Sequence, residues 1–158
     1  MKIGVVSDTH AKSLPAQMLE DFKGVDLILH AGDICSAQDF EQLKSVAEVK
    51  AVYGNMDGAD MRQILPRSQV IQCGKFSIGL FHGEGAPATL MERVKAEFKD
   101  KKVDAIVFGH SHHPMNEVID GILFFNPGSP NDKSFAPFCS YGILELDDTI
   151  KGKIIKVK

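Results

Sequence analysis

Ile3-Gly4-Val5-Val6 runs directly into Ser7-Asp8-Thr9-His10, and this stretch sets the reading of the whole chain. A short apolar run ends, and side chains able to hold a cation follow without a spacer. The same order recurs along the sequence. Leu27-Ile28-Leu29 leads into His30-Ala31-Gly32-Asp33, and Val49-Lys50-Ala51-Val52-Tyr53 leads into Gly54-Asn55-Met56-Asp57. Ile78-Gly79-Leu80-Phe81 leads into His82-Gly83-Glu84, and Ala105-Ile106-Val107-Phe108 leads into Gly109-His110-Ser111-His112. Short runs rich in Val, Ile, Leu and aromatic residues read as strands. Three of the runs are almost wholly apolar, which suits strands covered on both faces.

Between these runs the apolar spacing becomes helical. Residues 14–22 group Leu14, Met18, Leu19 and Phe22, and residues 37–47 group Phe40, Leu43, Val46 and Ala47. Residues 87–99 group Leu90, Met91, Val94 and Phe98, with Pro87 suited to a first turn. These stripes read as core packing. Ser36 and Asp39 stand at capping-box spacing. After His113 the pattern is strand throughout, at residues 115–119, 122–126, 138–146 and 149–157, with Asp120-Gly121 a hairpin turn. Residues 69–73 and 75–81 read as a further hairpin about Gly74. The expectation is one α/β domain over residues 1–158, with two packed sheets and outer helices, the strand order left open.

Lys plus Arg number 18 and Asp plus Glu number 21, so 18 − 21 gives a net charge of −3. That balance, without a Lys/Arg stripe or an aromatic ladder, argues against a nucleic-acid polymer as partner. No apolar run is long enough to span a membrane, and the first apolar run is too short for a signal peptide. Cys35, Cys73 and Cys139 are far apart and form no C-x-x-C, which argues against a disulfide scaffold or a cysteine zinc site. The expected compartment is the cytoplasm.

Ligands of open α/β sheets gather beyond the carboxyl ends of the strands. If the five strands are parallel neighbours, Asp8, His10, Asp33, Asn55, His82, His110 and His112 converge there. Carboxylates packed so closely repel one another, and two divalent cations would resolve the conflict. Carboxylate, amide and imidazole together suit Mn, Fe, Zn or Ni. Asp33 is the natural bridge, because its two oxygens can touch two cations. In Asp8-x-His10 and His110-x-His112 an extended chain would aim both side chains of each pair the same way.

The series Asp8-x-His10, Gly32-Asp33, Gly54-Asn55-x-Asp57, His82-Gly83 and Gly109-His110-Ser111-His112 resembles the calcineurin-like metallophosphoesterase superfamily, and within it the small YfcE-type phosphodiesterases. The resemblance runs from about Lys2 to Ser129. It implies a four-layer α/β/β/α sandwich with two mixed β-sheets and a pair of metals. It implies that Asp8, His10, Asp33 and His112 surround one metal, and that Asp33, Asn55, His82 and His110 surround the other, with Asp33 shared. Mn²⁺ is the first expectation for both ions, with Fe, Zn or Ni as alternatives. The implied reaction is hydrolysis of a small phosphodiester by a hydroxide held between two cations, with Asp33, Asn55, His82 and His110 as the catalytic residues. A homodimer or homotetramer is left open. Asn126-Pro127-Gly128-Ser129 is similar to a family segment that reads either as a turn or as a wall beside the substrate.

Several positions depart from the wider pattern. Many superfamily members that cleave monoesters carry a histidine where this chain has Met56, and methionine cannot donate a proton. The absence favours the diesterase branch. Asp57 would orient the Asn55 loop or simply stabilise a turn. Glu84 stands where the family often has histidine, and either bonds a ligand group or faces solvent. His113 either touches substrate or lies on the surface, and His30 reads as structural. Arg67 is the only basic residue of the middle loop considered for phosphate contact. Two other functions keep the same fold: a phosphomonoesterase or pyrophosphohydrolase with the same metals, and a non-catalytic protein-binding scaffold. Turnover across diester, monoester and dinucleotide substrates separates the first pair, and stoichiometric partner binding without hydrolysis marks the last.

Overall fold

A computed structural model describes residues 1–158. One five-stranded sheet contains β1 (Lys2–Val6), β2 (Leu27–His30), β3 (Val49–Ala51), β9 (Ser140–Leu146) and β10 (Ile150–Lys156), in the order β10-β9-β1-β2-β3. The other contains β4 (Ser68–Cys73), β5 (Phe76–Phe81), β6 (Ala105–Val107), β7 (Met115–Ile119) and β8 (Ile122–Asn126), in the order β4-β5-β6-β8-β7. Both sheets are mixed. β1-β2-β3 and β5-β6-β8 run parallel, and antiparallel strands flank each set.

Side-chain alternation builds the layers. Ile3, Val5, Leu27, Leu29 and Leu144 point from the first sheet onto Ile78, Leu80, Val107, Leu123 and Phe125 of the second. The intervening residues point outward. Val6, Ile28 and Ile143 meet Met18 and Phe22 of α1 (Ala16–Phe22) and Leu43 of α2 (Ala37–Lys44). Phe81, Ile106 and Phe124 meet Leu90 and Val94 of α4 (Leu90–Glu97), together with Phe98. The result is the α/β/β/α sandwich. β1, β2 and β6, the apolar runs, are buried on both faces as their composition requires. Ser36 caps α2, its hydroxyl accepting the Asp39 N–H at 3.1 Å.

Two expectations need correction. The five strands are not one set of neighbours: three lie in one sheet and two in the other, and the site forms where the carboxyl ends of both sheets meet. A short helix, α3 (Ala59–Ile64), was also absent from the periodic pattern. It has six residues and buries chiefly Met61 against Ile34, Ala51 and Leu65, too few positions to show a helical stripe. All three cysteines are free thiols. No helix is long and apolar enough to cross a membrane.

Candidate metal centre

Hydrogen bonds continue past the strand ends and tie the polar loops together. Asp8 N–H donates to Gly32 O, and His10 N–H donates to Asp33 O, each at 3.0 Å. Gly109 N–H donates to His82 O at 3.0 Å, and His110 N–H reaches Asp8 Oδ2 at 3.1 Å, joining loops of opposite sheets. The loops leave the strands through left-handed backbone. Asp8, His10, Asp33, His110 and His112 all have φ between 52° and 68°. The expected extended geometry of the two ligand pairs is therefore wrong. A non-glycine residue in this region is unusual and costs free energy, and such residues cluster at functional sites. Gly54 permits the closest approach: a Cβ there would collide with the Asp33 carboxylate and lie 2.6 Å from its backbone nitrogen.

All seven residues singled out from the sequence come together. His112 Nε2 lies 3.2 Å from Asp8 Oδ1 and 3.1 Å from His10 Nε2. His82 Nε2 lies 3.4 Å from Asp33 Oδ2 and 3.1 Å from Asn55 Oδ1. His110 Nδ1 lies 2.9 Å from the same Asn55 oxygen. Asp8-His10-His112 and Asp8-Asp33-His82 each bring donor atoms within 4.8 Å of one another. Asp33 Oδ1 accepts the Met56 N–H at 2.7 Å, and Oδ2 lies 3.4 Å from His82 and 3.9 Å from His10.

The second nitrogen of each imidazole is occupied in a way that aims the first at the centre. His82 Nδ1 pairs with Ala31 O at 2.7 Å, and His110 Nε2 pairs with Gly85 O at 2.8 Å. A carbonyl can only accept, so each of these nitrogens carries a proton, and in the neutral ring the facing nitrogen is the one that offers a lone pair. His112 Nδ1 meets the Asp132 carboxylate at 2.5 Å. For His10 the neighbour is the Cys35 sulfur, 4.0 Å from Nδ1. Such outer partners fix the ring orientation of metal-binding histidines.

Electrostatics agree. Burial raises the Asp8 carboxyl, but His10, His112 and His82 outweigh it and hold Asp8 well below the usual range. Asp33 is held down against burial by His82 and the Met56 N–H. Asp8 pushes His112 up to about 9 against burial, with help from Asp132. Burial opposes charging of His82, yet Asp33 and Asp8 raise it. Asp8 Oδ1 is fully buried and accepts no aligned hydrogen bond, a costly state for a carboxylate oxygen. Two carboxylates, an amide oxygen and inward lone pairs around that orphaned oxygen suit divalent cations of the borderline class.

The surrounding polar residues divide clearly. Asp57 is buried and accepts three N–H bonds: Asp33 at 2.9 Å, Cys35 at 2.7 Å and Gly54 at 2.8 Å. It staples the Asp33 loop to the Asn55 loop. His30 accepts the Gly32 N–H at 3.2 Å and faces Thr9 Oγ1 at 3.2 Å, and burial lowers it to about 3, so it is a neutral structural ring. Asn126 donates to Gly109 O, and Ser129 donates to Asp8 O at 2.8 Å. Both are fully buried, so the Asn126–Ser129 segment supports the loops, as its reading as a turn expects. His113 is exposed and bonds its own turn through Ser111 O. Glu84 is half exposed and pairs with Arg67 at 3.1 Å.

Asp132 is the residue that sequence reasoning missed. It lies in an irregular segment, and nothing in Ser129-Pro130-Asn131-Asp132 distinguishes it from a turn aspartate. Its place beneath His112 depends on Asp132 N–H bonding Ser129 Oγ at 3.1 Å, a contact that only the folded chain creates.

A sequence profile described as the calcineurin-like phosphoesterase superfamily domain matches residues 1–149. The chain belongs to that family. A probable metallophosphoesterase of Methanocaldococcus jannaschii is 35% identical over 163 residues, covering 100% of this chain and 82% of that protein. A phosphodiesterase of the same organism is 30% identical, covering 81% of this chain and 83% of its own length. The crystal structure of Vps29 complexed with zinc from Entamoeba histolytica superposes with a TM-score of 0.80 at 25% identity, each chain fully covered. The calcineurin-like family works with divalent metals, and this chain carries candidate ligand groups for them.

Proposed function

We propose that this protein is a dinuclear phosphodiesterase acting on a small phosphodiester, with residues 1–158 forming one such domain. Asp8, His10, Asp33 and His112 would hold one cation, and Asp33, Asn55, His82 and His110 the other. Mn²⁺ is the preferred ion, with Fe, Zn or Ni as alternatives. The observation that carries the reading is the buried Asp8 Oδ1, which has no aligned hydrogen bond and is ringed by Nε2 of His112, His10 and His82 at 3.2, 3.7 and 3.9 Å. When bound, such cations lower the pKa of water and neutralise charge on a phosphoryl group.

The chain's own residues supply the orientation. The carbonyls of Ala31 and Gly85 and the Asp132 carboxylate hold the rings of His82, His110 and His112 in place. Asp57 fixes the distance between the Asp33 and Asn55 loops before substrate arrives. Such preorganisation avoids rearrangement during the reaction. No side chain at position 56 can protonate a poor leaving group, since Met56 is 61% exposed and carries no titratable atom. Diesters with good leaving groups are therefore favoured over monoesters, and the named diesterase relative supports that choice.

The test is turnover of bis(4-nitrophenyl) phosphate by metal-reconstituted protein, against 4-nitrophenyl phosphate and a dinucleotide. Metal-dependent hydrolysis is expected to favour the diester and to fall at least about 10²-fold in Asp33→Ala. Undiminished turnover in that variant would sink the assignment. A protein-binding role of the Vps29 kind would give stoichiometric partner capture without hydrolysis, and the intact set of seven polar residues speaks against it.

A further inference from the structure

Beside Asn55 lies a cavity of about 200 Å³, walled in part by Tyr53, Arg62, Arg67, Phe81 and Glu84. Its two guanidinium groups are not equivalent. Arg67 is neutralised: it pairs with Glu84 at 3.1 Å and Glu97 at 2.5 Å and rests over the Phe81 ring. Arg62 bonds only backbone carbonyls, its Nε to Asp57 O at 2.8 Å and its Nη2 to Gly54 O at 3.3 Å and Asn55 O at 2.8 Å. It forms no ion pair with a carboxylate, and its Nη1 meets no protein acceptor. The guanidinium stacks on Tyr53, 5.2 Å from the ring centroid. Arg62 is therefore a fixed positive charge with unused donors.

Its position specifies what those donors can meet. The backbone oxygen of Asn55 takes Arg62, while the side-chain oxygen of the same residue faces His82 and His110. Asn55 thus stands between the guanidinium and the imidazoles, so a group held by Arg62 would be distinct from one held among the imidazoles. An Arg fork matches a phosphate or carboxylate in geometry and charge. We propose that Arg62 recognises a second anionic group, most simply a terminal phosphate, on one arm of the phosphodiester. This moves the phosphate-contacting role from Arg67, the basic residue the sequence suggested, to Arg62. The inference rests on the phosphodiesterase reading above.

Two 4-nitrophenyl phosphodiesters test it, identical except that a propyl arm ends in a phosphate or in a hydroxyl. Metal-loaded wild-type protein is expected to show a KM about tenfold lower for the phosphate-ended ester. Because Arg62 also steadies the Asn55 loop, its variants are judged by the ratio of the two KM values and not by rate alone. Arg62→Gln should bring that ratio close to one, and Arg62→Lys should keep part of it. Calorimetric titration of the corresponding hydrolysis-resistant phosphonates should show the same ordering without turnover. A wild-type protein that does not prefer the phosphate-ended compound overturns the assignment. So does an Arg62→Gln protein that weakens both compounds equally and keeps the ratio. Hydrolysis of neither ester by the wild type would instead defeat the phosphodiesterase reading beneath it.

Discussion

His112 turns one nitrogen toward Asp8 and His10 and places the other on Asp132, whose carboxylate also accepts the N–H groups of Ser134, Phe135 and Ala136. One acidic residue therefore fixes both an imidazole and the loop above it. Asp132→Asn keeps the size of the side chain but removes the charge that, after that of Asp8, helps to raise His112. Metal affinity measured by competition with a chelator is expected to fall about 10–100-fold. Unchanged affinity would show that His112 needs no such partner. The contrast between Asp132 and the seven recognised residues marks what the sequence can reveal. Asp8, His10, Asp33, Asn55, His82, His110 and His112 each follow an apolar strand directly, so a local pattern exposes them. Asp132, and the free guanidinium of Arg62, acquire meaning only from long-range contacts.

At the scale of elements, the strands were legible because alternation and composition are local properties, and ten strands lie close to where the residues placed them. Strand order was not legible, since β1 pairs with β9 across most of the chain and no local feature announces that partner. The helix layers seat on the sheets by a shared device. The Phe22 ring lies on Gly4, where an added Cβ would stand 2.8 Å from Phe22 Cε1. The Phe98 ring lies on Gly79 in the same manner, where the Cβ would stand 2.7 Å from Phe98 Cε1. A methyl group at either strand position overpacks a fully formed layer. Gly79→Ala is expected to lower unfolding free energy by about 1–3 kcal/mol in urea titration, with an unchanged m-value. No loss of stability would mean that α4 can lift from its sheet without cost.

Across the whole molecule, protons and cations compete for one cluster. In the metal-free chain His112 is raised to about 9, well above its ordinary value near 6.5, by Asp8 and then Asp132. A group raised in the folded state stabilises it fully below the unfolded pKa and loses that contribution as pH climbs through the folded pKa. The metal-free protein should therefore lose stability between pH 6.5 and 9, a trend that thermal unfolding would register. Cation binding must expel the same proton, so apparent metal affinity should rise with pH and level off above about 9. A metal-free protein whose stability is flat over this range would contradict the coupling of His112 to Asp8. The central claim is that both sheets contribute to a single two-cation centre. Metal content of reconstituted, gel-filtered protein tests it most directly. The account predicts two bound divalent ions per chain in the wild type and fewer in Asp33→Ala, whereas one ion or none in the wild type, or two retained by the variant, would contradict it.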